Sequence, residues 1–218
     1  MNYTELTAAI CDYTQNFDTD FVDNIPVFVQ QAEQRIYNSV QFPSIRKNVT
    51  GSITANNKYL GCPNDFLAVY SIAVIDATGA YEFLLNKDVN FIRQAYPQPT
   101  DTGQPKYYAL FGSQSNDPNE LTFILGPTPG LTYGVELHYY YYPASIVTAS
   151  TTWLGDNFDS VLLYGSLVEA YTFMKGEPDL VTLYNTKYNE ALALAKRLGD
   201  GMERQDAYRS GQVRIAVT

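Results

Sequence analysis

The sequence predicts an α+β fold: a four-helix bundle made of N-terminal and C-terminal helix pairs, with an inserted antiparallel β domain and an extended C-terminal arm. Three observations predict this fold. Apolar residues recur at helical spacing in the first fifty residues and again in the final third. The middle of the chain instead has short runs rich in Val, Ile, Tyr, Phe and Thr between turn-forming residues. Neither helix pair can bury its apolar stripe alone, so we expect the pairs to pack together.

The N-terminal helix pair is predicted over residues 1–46. Its first helix has a stripe formed by Leu6, Ile10 and Tyr13. An acidic turn at 18–23 follows, and the second stripe consists of Phe28, Ala32, Ile36 and Val40. We expect Asn24 to cap this second helix, with Pro26 in its first turn and Pro43 ending it.

The inserted β domain is predicted over residues 47–150. Strands are expected near 47–54, 66–75, 80–85, 106–112, 120–125 and 132–142. They should be mostly antiparallel, because the intervening loops are generally too short for helical crossovers. The longest predicted loop covers 87–104 and contains Pro97, Pro99 and Gly103.

Helical spacing returns in the second helix pair, predicted over residues 151–199 and followed by an arm over 200–218. Gly176 is expected to end the first helix of this pair and Gly199 the second. The stripe of the first helix is Leu163, Leu167, Ala170 and Met174, and that of the second is Leu180, Tyr184, Tyr188, Ala191, Ala195 and Leu198.

Composition and charge limit the function classes. Hydrophobic residues make up 45% of the 218 residues, and no apolar run approaches the roughly 20 residues that span a bilayer. With no basic leader and only two cysteines, we expect a soluble protein of a reducing cytoplasm, without a membrane partner. The net charge of -9 argues against binding DNA through its phosphates. No acid follows Asp206, whereas Arg209 and Arg214 do, so the chain ends in a small basic tail.

Residues able to support catalysis are scarce. His138 is the one histidine, and we interpret it as a packed or surface strand residue. Zinc sites built from His and Cys cannot be assembled within one chain, and any histidine-based triad would have to use His138. Asp18, Asp20 and Asp23 lack the Gly and Glu of a calcium loop, and no phosphate-binding glycine loop occurs. We therefore expect no enzyme, metal or cofactor, although a hydrolase using two of the 23 acids stays the weakest alternative.

The tyrosine run from Tyr139 to Tyr142 predicts an interface. Consecutive strand residues point to opposite faces, so both faces are apolar there. One face should join the core, and the other is covered either by the helices or by a neighbouring subunit. We interpret Tyr140 and Tyr142 as subunit-interface residues. The alternative is a carbohydrate-binding face, as in a glycan-binding β module of a surface protein.

Several short motifs follow one another along the chain. They are Pro63-Asn64-Asp65-Phe66-Leu67, Leu137-His138-Tyr139-Tyr140-Tyr141-Tyr142-Pro143, Thr152-Trp153-Leu154 and the stretches 157–170 and 184–192. Their order resembles that of the head-to-tail adaptor proteins of tailed phages, including the tail tubular A proteins of short-tailed phages. In those proteins an aromatic strand similarly exits through a Pro, crosses a Trp-Leu or Leu-Leu segment and enters a helix at an acidic cap.

The resemblance implies a structural protein of the virion neck, assembled in the host cytoplasm. It implies a dodecameric ring clamped beneath the portal protein, with a tail nozzle or further connector below. Genome DNA would pass through the lumen without specific binding. In this family the C-terminal arm commonly reaches the portal, which implies portal-binding roles for Arg209, Arg214, Ile215 and Val217. The arginines would meet portal acids, and the alternating end of the chain would add a strand to a portal element.

Overall fold

A computed structural model describes residues 1–98, 100–112 and 120–203. Within those residues the chain forms seven helices and ten strands, and the predicted α+β class is confirmed. The helices are α1 (Tyr3–Thr14), α2 (Thr19–Ser39), α3 (Val89–Ala95), α4 (Ile146–Ala149), α5 (Trp153–Asn157), α6 (Asp159–Phe173) and α7 (Pro178–Glu203).

The strands follow one another in the middle of the chain, and most pairs are antiparallel. They are β1 (Arg46–Ile53), β2 (Tyr59–Gly61), β3 (Ala68–Ile75), β4 (Tyr81–Phe83), β5 (Leu85–Asn86), β6 (Thr102–Gly103), β7 (Tyr107–Phe111), β8 (Thr122–Gly126), β9 (Thr128–Pro129) and β10 (Tyr133–Tyr140). The strands predicted near 47–54, 66–75, 106–112, 120–125 and 132–142 are confirmed as β1, β3, β7, β8 and β10.

Two compact units divide the chain. One joins Met1–Ile45 to the chain from Pro143 onward, and the other is Arg46–Tyr142. In the first unit, α6 packs against α1, α2 and α7. Because α6 is buried on nearly every side, from Val161 to Leu163 and from Gly165 to Val168, it is the central helix of this unit.

Helix α2 begins earlier than predicted, at Thr19, with Asp18 in the N-cap position. The expected cap at Asn24 is therefore wrong, and Pro26 lies inside the helix rather than in its first turn. An interior proline costs about 3 kcal/mol. Burying Phe21 and Ile25, which extend the apolar stripe by one turn and more, returns about 1.5–3 kcal/mol each and offsets that cost.

The two predicted glycine stops differ in outcome. Helix α6 ends at Phe173, a few residues before Gly176. The amide of Gly176 donates a hydrogen bond back to the carbonyl of Tyr171, and Lys175 takes the left-handed conformation. Helix α7 instead runs through Gly199 to Glu203, so the predicted stop there is wrong. The two helical glycines, Gly199 and Gly201, cost about 1 kcal/mol each, which a long helix anchored by buried Tyr188 and Leu192 tolerates.

The unit Arg46–Tyr142 is built on two four-stranded sheets, ordered β1-β10-β3-β4 and β2-β8-β7-β5, with a short β6-β9 pair. The β5–β7 and β6–β9 pairs are parallel. Both four-stranded sheets contribute to one core, which includes Ile72, Val74, Phe123, Leu125 and Tyr139.

The stretch predicted as the longest loop contains helix α3. Asp88 caps α3 through its side chain, and Ile92 packs with Ala109 and Ile124 of the sheet. The region predicted as one strand near 80–85 is two short strands, β4 and β5. No helix in the described parts of the chain is both long and apolar enough to cross a membrane.

Candidate interaction surfaces

The tyrosine run at the end of β10 alternates between two faces of its sheet. Tyr139 is 1% exposed and stacks on Phe66, and Tyr141 packs against the same core. Tyr140 makes an edge-to-face contact with Tyr70, which is 52% exposed, and Tyr142 is 38% exposed. The interface role of Tyr140 and Tyr142 stays a prediction.

An arginine lies among the aromatic rings of this outer face. The guanidinium of Arg46 on β1 is 5.1 Å from the ring centroid of Tyr70 and 5.8 Å from that of Tyr140. Arg46, Tyr70, Asn48 and His138 all line one surface depression of about 230 Å³. A cation over aromatic faces is typical of polar recognition surfaces, so this face combines apolar contact area with positive charge.

A charged contact fixes the opposite side of the same strands. Asp65, in the turn before β3, accepts hydrogen bonds from Lys47 at 2.7 Å and from the Tyr139 hydroxyl at 2.8 Å. The hydrogen bond from Lys47, followed by that from Tyr139, lowers the pKa of Asp65. Burial and the bond to Asp65 raise the pKa of Tyr139. The sequence pattern marked Pro63–Leu67 as the opening of the sheet but gave no sign of this three-residue contact.

His138 lies in β10, as predicted, and is surrounded by polar neighbours. Its Nδ1 atom is 3.4 Å from the Ser71 hydroxyl, and its Nε2 atom is 4.0 Å from the Glu136 carboxylate. Asn48 donates to the same carboxylate. Among the described residues, no group of three or more His, Cys, Asp or Glu side chains could hold a metal ion.

The predicted portal-binding residues lie outside the described residues: Arg209, Arg214, Ile215 and Val217 all follow Glu203, where α7 ends. The acids Asp18, Asp20 and Asp23 lie at the start of α2 and are exposed. Carboxylates are favourable at a helix N-terminus, which agrees with their interpretation as a helix-entry cluster.

Sequence reasoning missed an exposed apolar face on α7. Leu183, Leu194 and Leu198 are 49%, 62% and 46% exposed, although Leu198 was assigned to the buried stripe. Tyr188 and Ala195 of the predicted stripe are buried, and Leu192 is buried with them. Counting the positions around the helix would have separated the two faces, since a helix turns about 100° per residue.

A comparison with known families gives a match that covers both compact units. The family model of the SU10 adaptor protein matches residues 1–216. No curated protein matches the chain. The match agrees with the resemblance to phage adaptors seen in the ordered motifs, and such a protein associates with other head and tail proteins. The chain therefore belongs to the SU10 adaptor protein family, which makes it a phage adaptor and a component of the virion.

Proposed function

We propose that this chain is a non-enzymatic subunit of a dodecameric ring in the virion neck, joining the portal protein to the tail. The family match over residues 1–216 carries the proposal. Closed rings of identical subunits are a common solution for homo-oligomers, and a ring leaves a lumen through which the genome passes. The proposal includes similarity to the tail tubular A proteins, assembly in the host cytoplasm, and a tail nozzle or further connector as the tail-side partner.

The negative charge of the chain suits a lumen. A net charge of -9 gives a wall that does not grip the phosphates of moving DNA, whereas a DNA-binding protein needs clustered Lys and Arg. The DNA would therefore pass without specific binding.

The proposal gives different roles to different parts of the chain. Helices α1, α2, α6 and α7 would form the four-helix bundle that builds the ring. The unit Arg46–Tyr142 would face neighbouring subunits and the tail, with Tyr140 and Tyr142 at the subunit interface. The arm would hold the portal: Arg209 and Arg214 would meet portal acids, and Ile215 and Val217 would belong to a strand added to a portal element.

Deleting residues 204–218 tests the role of the arm. The deletion spares α7 through Glu203, so we expect an unchanged circular dichroism spectrum and an unchanged melting temperature. Binding to the cognate portal, measured by co-sedimentation, should be lost. Full retention of binding would contradict the assignment.

A matched pair of variants tests the charge of the arm while its length stays the same. The double variant Arg209→Glu with Arg214→Glu should weaken portal binding strongly, because like charges would then face each other. The double variant Arg209→Lys with Arg214→Lys keeps the charge and should retain most of the binding. Equal binding by both double variants would exclude charge pairing with the portal.

A further inference from the structure

The outward face of α7 has the composition of a contact surface. Leu183, Leu194 and Leu198 lie within about 60° of arc around the helix and span about 22 Å of its length. All three are about half exposed. Exposed Lys187 lies between these leucines, and exposed Arg197 lies at the edge of the face. Apolar side chains grouped on one surface and edged by charge mark protein contact sites more often than isolated exposed leucines do.

Charge is distributed unevenly along this face of α7. In the middle of the helix Lys187 donates a hydrogen bond to Glu190 at 3.1 Å, so the two charges offset each other there. Toward the C-terminal end, exposed Arg197 lies at the edge of the leucine face, about 60° of arc from Leu194. A partner helix that matches this face should therefore place an acid opposite Arg197.

Helix α2 presents such a face. Its buried residues occupy one side of the helix. On the other side Val27 is 45% exposed, and Asp20, Asp23 and Gln34 are also exposed. These four outward residues lie within about 60° of arc. The face thus has Val27 near its middle, with Asp20 and Asp23 toward the start of the helix and the neutral amide of Gln34 toward its end.

The spacings on the two faces agree when the helices run antiparallel and Val27 lies against Leu194. Asp23 then lies against Leu198, beside Arg197, because Asp23 is four residues from Val27 and Leu198 is four residues from Leu194. In the opposite direction Gln34 falls against Lys187, seven residues or about two turns away. Asp23 near the start of α2 thus meets Arg197 toward the end of α7.

The charges also oppose the parallel arrangement. With Val27 still against Leu194, a parallel helix pair would place Asp20 against Lys187, whose charge Glu190 already offsets, and Asp23 level with the Glu190 carboxylate. Like charges in contact weaken an interface, whereas the antiparallel arrangement pairs Asp23 with a cation. Charge therefore favours one direction of approach over the other.

We propose that the outward face of α7 in one copy packs antiparallel against the outward face of α2 in a second copy. The inference rests on the proposed ring and names its subunit contact. Because the two faces are different surfaces of one unit, the association is heterologous, and each copy keeps one free face of each kind. Repeating such a contact closes a ring when the rotation between copies divides a full turn, whereas a self-complementary face would stop at a two-fold dimer.

Disulfide trapping between two single-cysteine additions tests the contact. One chain contains Val27→Cys and a second, tagged chain contains Leu194→Cys. The native thiols of Cys11 and Cys62 should not compete, because both are buried and burial raises the pKa of each, that of Cys62 to about 12. Oxidising the mixture should give a disulfide-linked heterodimer.

The matched control replaces Leu194→Cys with Asn189→Cys, an exposed position on another side of α7. We expect about ten-fold less heterodimer with the control, because its thiol is not held near position 27.

A charge exchange tests the direction of approach. Arg197→Glu on the Leu194→Cys chain should lower the heterodimer yield about two- to five-fold, the effect of one exposed ion pair. Asp23→Arg on the Val27→Cys chain should restore it, because the pair is then re-formed with its charges exchanged. A yield that falls further in the doubly exchanged mixture would overturn the antiparallel contact.

Other results would also contradict the contact. Equal trapping with the control, or predominant homodimers of Leu194→Cys, would overturn it, the second by indicating α7 paired with α7.

The mass of the wild-type chain bound to its portal separates the two proposals. A multi-copy complex that gives no trapping between positions 27 and 194 would overturn the inference alone, and the lack of any multi-copy complex would overturn the ring as well.

Discussion

Two carboxylates show how strongly local surroundings decide the behaviour of single residues. Asp65 accepts hydrogen bonds from Lys47 and Tyr139, which lower its pKa. Glu33 on α2 is 4% exposed, and burial is the larger influence, so its pKa is raised. The two side chains therefore make the stability of the protein depend on pH in opposite directions.

Replacing Asp65 with Asn should lower the free energy of unfolding at neutral pH by no more than about 1 kcal/mol, since the site is partly open to solvent. A lowered folded pKa means that the contribution is present above the ordinary aspartate pKa of 3.8 and is lost as the pH falls through the folded value. Urea unfolding at neutral and acidic pH should show the difference between variant and wild type shrinking in acid. A difference that grows in acid would contradict this account.

Glu33 accepts a hydrogen bond from the amide of Ile146 at 2.9 Å and one from the Ser145 side chain, at the start of α4. Glu33→Ala leaves that buried amide unpaired, so we expect a loss of about 1–3 kcal/mol in the free energy of unfolding. Glu33→Gln keeps an acceptor and should lose less.

The pH dependence at Glu33 gives a second readout. Because the folded pKa is raised, the wild type should lose stability relative to Glu33→Gln as the pH rises from the ordinary glutamate value of 4.5 through the folded value. Chemical denaturation across this range measures the change. If the stability of the wild type instead rises relative to that of Glu33→Gln with increasing pH, hydrogen bonding outweighs burial at this carboxylate.

Among the elements, the packing of α2 and α7 on α6 depends on one small residue. A Cβ atom added at Gly165 would lie 3.2 Å from the Cβ of Ala32 and 3.2 Å from the ring of Tyr188. The Cβ of Ala32 is fixed to its backbone and cannot rotate away, so helix α2 would have to shift. Arg35 also joins these helices, since it pairs with Glu169 and lies over the Tyr188 ring.

Gly165→Ala should therefore destabilise the protein. Overpacking costs about 1–3 kcal/mol, and the better helix propensity of Ala returns about 1 kcal/mol, which leaves a net loss of about 1 kcal/mol. Thermal unfolding of Gly165→Ala, Ala32→Gly and the double variant measures the coupling, and the double variant should be more stable than the sum of the single effects predicts. A higher melting temperature for Gly165→Ala alone would show that the helices are not in close contact there.

At this scale the sequence predicted element types better than element ends. The strands and the long helices could be predicted because their apolar periods are regular. Helix α3 could not, because its seven residues present a single buried side chain, Ile92, among turn-forming neighbours. The start of α2 could not be predicted from Pro26 alone, because the burial of Phe21 and Ile25 offsets the cost of a proline in the helix interior.

For the whole molecule, the candidate surfaces were only partly predictable. The alternation of Tyr139 and Tyr140 follows from strand geometry and needs no tertiary information. The contacts of Arg46 with Tyr70, and of Lys47 with Asp65, depend on which strands pair and in what register, which composition does not determine. The arm was singled out by its charge and alternation alone, and its test is therefore biochemical.

The net charge leads to a prediction about DNA. At physiological salt we expect no retention of duplex DNA by the free chain in a filter-binding assay, because a charge of -9 opposes phosphate contacts. A basic DNA-binding domain serves as the positive control. Retention that falls steeply with rising salt would show that a local basic surface overrides the net charge.

The central claim is that this phage adaptor forms a ring on the portal. Native mass measurement of the chain mixed in excess with its cognate portal tests that claim most directly. The account predicts one closed complex holding a dodecamer of this chain on each portal ring, with the arm-deleted chain left unbound. A chain that stays monomeric beside an unchanged portal would contradict it.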